Sequence, residues 1–206
     1  MTHTLTAPTH PTDFIGKTRV IAEVLFKRLP GHVHSPNVES RRHLFTGPPG
    51  VGKTSLAEAL ARHVSGHPLC IEQVNGQSCT VDLIRDWTRQ GCYRPLVGDC
   101  FVKVIDECDA ISQAGLNEIR TWLDHLPPRT LVLATTNKAP SELQDQLQSR
   151  FTLHRFEKVA PSLIAEWLAG MFHLTAELAT LTASQVDGNV RAAKTDALNL
   201  LDYQTA

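Results

Sequence analysis

Two rhythms of apolar and polar positions alternate along this chain. Short, nearly continuous apolar runs at 43–46, 69–74, 100–105, 130–135 and 151–156 read as strands. Between them, apolar residues recur at helical spacing. Val20, Ile21, Val24 and Leu25 lead up to Leu29-Pro30-Gly31, and Leu56, Leu60 and Val64 repeat beside the small Ala57 and Ala61 until Gly66. Leu83, Ile84 and Trp87 share one side of a helix that begins at Val81. Leu116, Ile119, Leu123 and Leu126, with Trp122 nearby, run to Pro127-Pro128, and a short helix fits 140–148. Residues 32–40 and 93–99 read as loops and Asn75-Gly76 as a turn. Strands alternating with helices in this order predict an α/β domain with a mostly parallel sheet. After Pro161 the strands stop, and 162–173, 175–186 and 189–203 have the spacing of a small helical bundle. The boundary falls near Ala160-Pro161. It gives a polar lead-in over 1–12, expected to be disordered, an α/β domain over 13–160 and a helical unit over 161–206. Lys103 interrupts an otherwise apolar strand, which predicts a strand face partly open to solvent.

Composition narrows the function classes. The 206 residues hold one good-sized domain, or one domain with a small appendage. The balance of 20 basic and 21 acidic residues argues against a dedicated basic coat for nucleic acid, though not against a local patch. No apolar run approaches the length needed to cross a membrane, and the N-terminus has no signal-peptide apolar region. The five cysteines are odd in number and include no C-x-x-C pair, the pattern of reduced thiols in a cytoplasmic protein. Cys79, Cys92 and Cys100 lack a zinc-ligand spacing, and His32 and His34 in a loop are more often solvated than ligating.

The strongest chemical signal is the run Gly47, Pro48, Pro49, Gly50, Val51, Gly52, Lys53, Thr54, followed by Ser55. It fits G-x-x-x-x-G-K-[ST] and lies between a strand and a helix, the context that makes it a phosphate-binding loop. Glycines let successive N–H groups curl inward, and the helix N-terminus adds partial positive charge. Lys53 supplies a full charge for the β- and γ-phosphates of a nucleotide, and Thr54 a hydroxyl for Mg²⁺. Ligands of parallel α/β sheets sit at the carboxyl ends of the strands. Three more groups fall there: Asp106, suited to a Mg²⁺ water; Glu107, suited to polarise the water that attacks the γ-phosphate; and Asn137, suited to the γ-phosphate or that same water. Arg150 reads either as a solvated arginine or as a finger acting on a neighbouring subunit's nucleotide, and Arg191 either as a surface residue or as a reach from the helical unit to the nucleotide.

These motifs, in this order, resemble those of the AAA+ ATPases, and within them the clamp-loader group typified by the bacterial tau/gamma subunit and the replication factor C small subunits. Residues 47–54 are similar to Walker A, 101–109 to a D-E-x-D Walker B, 133–137 to the sensor 1 strand, 147–151 to the Ser-Arg-Cys finger motif with Phe151 in place of cysteine, and 188–191 to sensor 2. The resemblance implies an AAA+ P-loop domain with a parallel five-stranded sheet in the order 5-1-4-3-2, closed by a helical lid. It also implies ATP and Mg²⁺ as cofactors, and adenine held near Phe14, Ile15 and Gly16. It implies self-association, or association with related subunits, through Arg150, and DNA and a sliding clamp or another replication protein as partners. Arg85, Arg89 and Lys138 are the candidate DNA contacts. The chain ends at Ala206, directly after the lid, so the C-terminal collar of clamp loaders is expected to be absent. The expected function is an ATP-driven switch in DNA replication. A helicase loader, a transposition or defence regulator, a protein remodeller and a nucleotide-bound structural subunit are the alternatives.

Overall fold

The computed structural model describes residues 7–205. Residues 1–6 of the expected lead-in lie outside them. Pro11–Asp13 already forms a 3-10 turn, capped by His10. The first helix, α1 (Gly16–His32), leads through a second 3-10 turn, Val38–Arg41, to strand β1 (Arg42–Thr46) and helix α2 (Lys53–Ser65). Then follow β2 (Ile71–Asn75), α3 (Val81–Gly91), β3 (Phe101–Asp106), α4 (Gln113–Asp124), β4 (Thr130–Thr136), the short α5 (Asp145–Gln148) and β5 (Thr152–Arg155). The predicted helix at 140–148 is split, because Pro140–Glu142 closes as a 3-10 turn before α5 begins. Three helices finish the chain: α6 (Pro161–Phe172), α7 (Ala176–Gln185) and α8 (Val190–Thr205). Among the described residues no helix is long and apolar enough to cross a membrane.

The five strands are all parallel, in the order β2-β3-β4-β1-β5. This is the 5-1-4-3-2 order implied by the motifs, counted from the other edge. Alternation along the strands divides the core in two. Phe45, Val102, Val104, Leu131 and Leu133 face α1 and α2, while Leu44, Ile105, Val132 and Ala134 face α3 and α4. Side chains of α6, α7 and α8 form a third cluster, into which Val159 and Ile15 reach.

Two sequence expectations change. Lys103 is 1% exposed, not on an open strand face. Its ammonium bonds Glu72 Oε2 at 2.6 Å and Gln90 Oε1, and lies 5.3 Å from the centre of the Trp87 ring. A lysine is tolerated there because β2 and α3 bring it a charge partner and acceptors. On α1 the helical spacing holds but the rotation differs. Thr18, Ala22, Leu25 and Leu29 face the core, while Val20 is 60% exposed and Val24 also faces out. The Thr18 hydroxyl donates to Val51 O at 2.8 Å and fixes that rotation.

All five cysteines are free thiols. Cys79 and Cys100 lie in the cores on opposite faces of the sheet and Cys92 is exposed, so these three do not meet. His32 stacks over His43, with ring centres 6.3 Å apart. His43 Nε2 lies 3.0 Å from Ser40 O, which can only accept, so this nitrogen carries the proton and His43 Nδ1 accepts from His154 Nε2 at 3.0 Å. Among the described residues no group of three or more His, Cys, Asp or Glu side chains is placed to hold a metal.

Candidate functional site

The carboxyl ends of β1, β3 and β4 converge on the loop between β1 and α2. That loop is left-handed at Gly50 (φ 77°) and Gly52 (φ 98°), conformations that favour glycine. Gly50 is held from two sides as well. Arg191 N–H donates to its carbonyl at 3.2 Å, and a Cβ there would collide with the Asn189 side chain. Gly52 is the N-cap of α2 and offers no side-chain acceptor, so the first-turn N–H groups are left for an anion. Lys53 opens the helix and is buried. Its ammonium donates to Gly47 O at 2.8 Å, Pro48 O at 2.7 Å and Asn137 Oδ1 at 2.9 Å. Burial pushes its pKa down to about 8; Asp106 opposes that shift and Arg191 adds to it.

Strand register assembles the acidic end. Ile105 pairs with Ala134 and Asn75 with Asp106, so the residues after β3 lie between the tips of β2 and β4. Asp106 Oδ1 accepts from Thr54 Oγ1 at 2.9 Å and from the Thr135 hydroxyl. Thr135 Oγ1 in turn accepts from Glu107 N–H at 3.2 Å. The Glu107 backbone is itself left-handed (φ 52°), unusual for a residue with a side chain. Its carboxylate Oε2 accepts from Asn75 Nδ2 at 3.2 Å. A cavity of about 90 Å³ is lined by Lys53, Thr54, Asp106, Glu107, Asn137 and Arg191, together with Pro49, Gly50, Gly52, Ser55 and Thr135. The Thr54 hydroxyl and Asp106 carboxylate are hard oxygen donors. Mg²⁺ characteristically takes one or two protein oxygens and keeps several waters, so this pair fits it.

A second cavity, of about 330 Å³, opens beside the loop. Phe14, residues 50–52 and Ser55 form one wall; Trp167 and Met171 of α6 and Arg191 and Lys194 of α8 form the other. Of the three residues expected around adenine, only Phe14 lines it. Ile15 packs into the helical cluster, and Gly16 (φ 58°) starts α1 against Val159. Arg150 lines neither cavity. Its Nε and Nη2 donate to the two carboxylate oxygens of Asp124 at 2.8 and 2.7 Å, and that pairing holds the Asp124 carboxyl below its usual range. Arg85 pairs with Glu118 and Asp82, Arg89 with Asp86, and Lys138 with Asp109. Four residues at the site were given no role of their own by the sequence: Thr18, Asn75, Thr135 and Asn189, although Thr135 and Asn189 lie inside the stretches similar to sensor 1 and sensor 2. Asn75 had the clearest available clue, because it ends a strand on the edge where the other site groups lie.

The profile of the family described as "ATPase family associated with various cellular activities (AAA)" matches residues 43–159. A replication factor C small subunit from Methanosarcina acetivorans is 27% identical over 148 residues, covering 69% of this chain and 43% of that protein. Another, from Methanococcus maripaludis, is 29% identical over 191 residues, covering 88% of this chain and 59% of that protein. Replication factor C subunit 4 of Encephalitozoon cuniculi is 28% identical over 166 residues, covering 77% and 52%. The chain thus spans about half the length of the curated relatives it matches. Among solved structures, the Thermotoga maritima RuvB Holliday junction branch migration motor superposes with a TM-score of 0.75 at 21% identity. That match covers 97% of this chain and 66% of the other, a likeness of fold.

Proposed function

This chain belongs to the AAA family of ATPases, and from that premise we propose that it binds and hydrolyses ATP as a clamp-loader-like switch in DNA replication. One observation carries the nucleotide chemistry: Lys53, Thr54, Asp106, Glu107, Asn137 and Arg191, drawn from distant parts of the chain, line a single small cavity. The replication role is supported by the names of the relatives.

In this reading the nucleotide lies along the loop, with its phosphates at the α2 N-terminus and its base in the larger cavity beside Phe14 and Trp167. Lys53 exchanges its bonds to the Gly47 and Pro48 carbonyls for phosphate oxygens. Bound Mg²⁺ would be held by Thr54 and Asp106 and would neutralise phosphate charge. Glu107 orients and deprotonates the attacking water, for which it must leave Asn75. Asn137 and Arg191 stabilise charge on the γ-phosphate. The helices of 161–206 act as a lid over the domain of 13–160, joined to the loop through Asn189 and Arg191. Arg150 serves the nucleotide of a neighbouring subunit, after exchanging its bonds to Asp124. The assembly acts on DNA with a sliding clamp or another replication protein.

Nucleotide binding and steady-state hydrolysis test the site. Lys53→Ala is expected to abolish ATP binding. Glu107→Gln is expected to keep binding and lower turnover by about 100-fold or more. Wild-type turnover in the Glu107→Gln protein would remove the assigned chemistry. ATP- and salt-dependent DNA binding tests the replication role, and a flat response to both variables would refute it.

A further inference from the structure

At the opposite end of the sheet, where β1 and β4 begin, lies a shallow recess of about 390 Å³. It is lined by Arg41, Arg129, His34 and Ser35, flanked by Pro36 and Pro128, and no carboxylate among the described residues takes part in it. Arg41 is only 4% exposed. Its Nη1 donates to the carbonyls of Pro127 and Thr130, and its Nη2 to that of Leu126. Those carbonyls clamp the chain after α4, but they carry no net charge. Among the described residues Arg41 has no ion pair, and its buried Nε–H has no acceptor. A buried guanidinium without a counter-charge is costly, because neither water nor an acid compensates it. Burial, and then the neighbouring Arg42, both weigh against its charge. Arg41 still lines the recess, so its uncompensated charge lies at the wall where an anion would sit.

The other lining groups complete a donor set. Arg129, whose backbone is left-handed (φ 55°), has no side-chain hydrogen bond or ion pair among the described residues. Ser35 Oγ accepts from Asn37 N–H at 3.1 Å, which leaves its hydroxyl proton to donate. We infer that this recess, walled by Arg41, Arg129, His34 and Ser35, is a phosphate-binding site separate from the nucleotide cavity. Two arginines on one side, with the Ser35 hydroxyl and the His34 ring beside them, match the double charge and several oxygens of a phosphate dianion. The phosphate is either a free ion or part of a nucleic-acid backbone. The inference does not depend on the proposed ATPase cycle.

Two-dimensional NMR of the full chain tests it, because amides of 33–35 and 129–130 report separately from those of 50–55. Titration with sodium phosphate is expected to shift the first set with saturation, whereas sodium chloride at matched ionic strength is not. Arg129→Gln, at a half-buried position, and His34→Ala, at an exposed one, are each expected to weaken that response by about 10-fold, or about 1.4 kcal/mol, while the 50–55 amides respond as in the wild type. Arg41→Gln is informative only if its spectrum shows a folded chain. A parallel titration with a short single-stranded oligonucleotide separates the sources. Saturation well below the phosphate concentration assigns a nucleic-acid backbone; phosphate alone acting assigns a free ion. Equal shifts with chloride, or an unchanged response in Arg129→Gln, would overturn the site.

Discussion

Lys53 shows how burial tunes a single residue. Its ammonium is held by two carbonyls and one amide oxygen, and desolvation brings its pKa down to about 8. A phosphate needs the charged form. ATP affinity is therefore expected to be flat with pH below about 8 and to weaken above it, by up to about 10-fold per unit. Calorimetry in buffers of different ionisation enthalpy should show proton uptake on binding at pH 9 and little at pH 7. Without ligand the sign reverses for stability. Between about 8 and the ordinary lysine value near 10.5, the unfolded chain holds this proton and the folded chain does not, so this group's contribution to stability rises with pH. The residues of the loop, and Asp106 and Glu107, were legible in the sequence because each motif lies within a few consecutive positions. Asn75 and Thr135 were not, since their roles come from strand register. Asn75 reaches Glu107 only because β2 pairs with β3, and Thr135 reaches Asp106 only because β3 pairs with β4.

At the scale of elements, the loop and the start of α8 form one contact. Gly50→Ala places a methyl group against Asn189 and forces a left-handed backbone onto a residue that disfavours it. It is expected to destabilise the chain by about 1–3 kcal/mol and to weaken ATP binding, measured by denaturant unfolding and a binding titration. Unchanged values in both would show that the lid helices are free of the loop. The pairing of edge strand β5 with β1 carries a different sensitivity. Burial, with His154 next, pushes His43 down to about 3, and burial pushes His154 down to about 4. Both folded values lie below the ordinary 6.5. Stability from this pair is therefore whole above pH 6.5 and is lost as pH falls towards 4, at up to about 1.4 kcal/mol per unit for each ring. Replacing His154 with Gln should flatten the fall seen in urea unfolding between pH 6.5 and 4.5; an equally steep fall would exclude the pair as its source. Periodicity located every long helix and every strand to within a few residues. It misjudged the rotation of α1, because Val20 and Val24 suit a core as well as Ala22 does, and only the Thr18–Val51 bond and the neighbouring α2 decide which side packs. It also left Lys103 unexplained, since Glu72 and Gln90 are brought to it from other elements.

For the whole molecule, the central question is what Arg150 does. In the single chain it is half-buried and bound to both carboxylate oxygens of Asp124 through Nε and Nη2. Arg150→Ala is expected to cost about 1 kcal/mol of stability at most, and to lower ATP turnover only under conditions where subunits assemble. Native mass measurement with a non-hydrolysable ATP analogue, alongside turnover against protein concentration, separates the two effects; full turnover in the assembled variant excludes a role in trans. The order of strands was not legible from apolar rhythm, because parallel neighbours are distant in sequence; it came from the resemblance of ordered motifs. The Arg41 recess had no signal at all, being made of a loop, a strand start and a turn brought together by folding. The arrangement of aromatic rings has one more consequence. Of the three tryptophans, Trp87 and Trp122 lie sealed together behind the sheet, ring centres 5.2 Å apart, while Trp167 stands in the wall of the cavity beside Phe14. Two emitters are thus shielded and one faces the place where a base would stack, so a chain with Phe at 87 and 122 carries its own optical probe of nucleotide arrival.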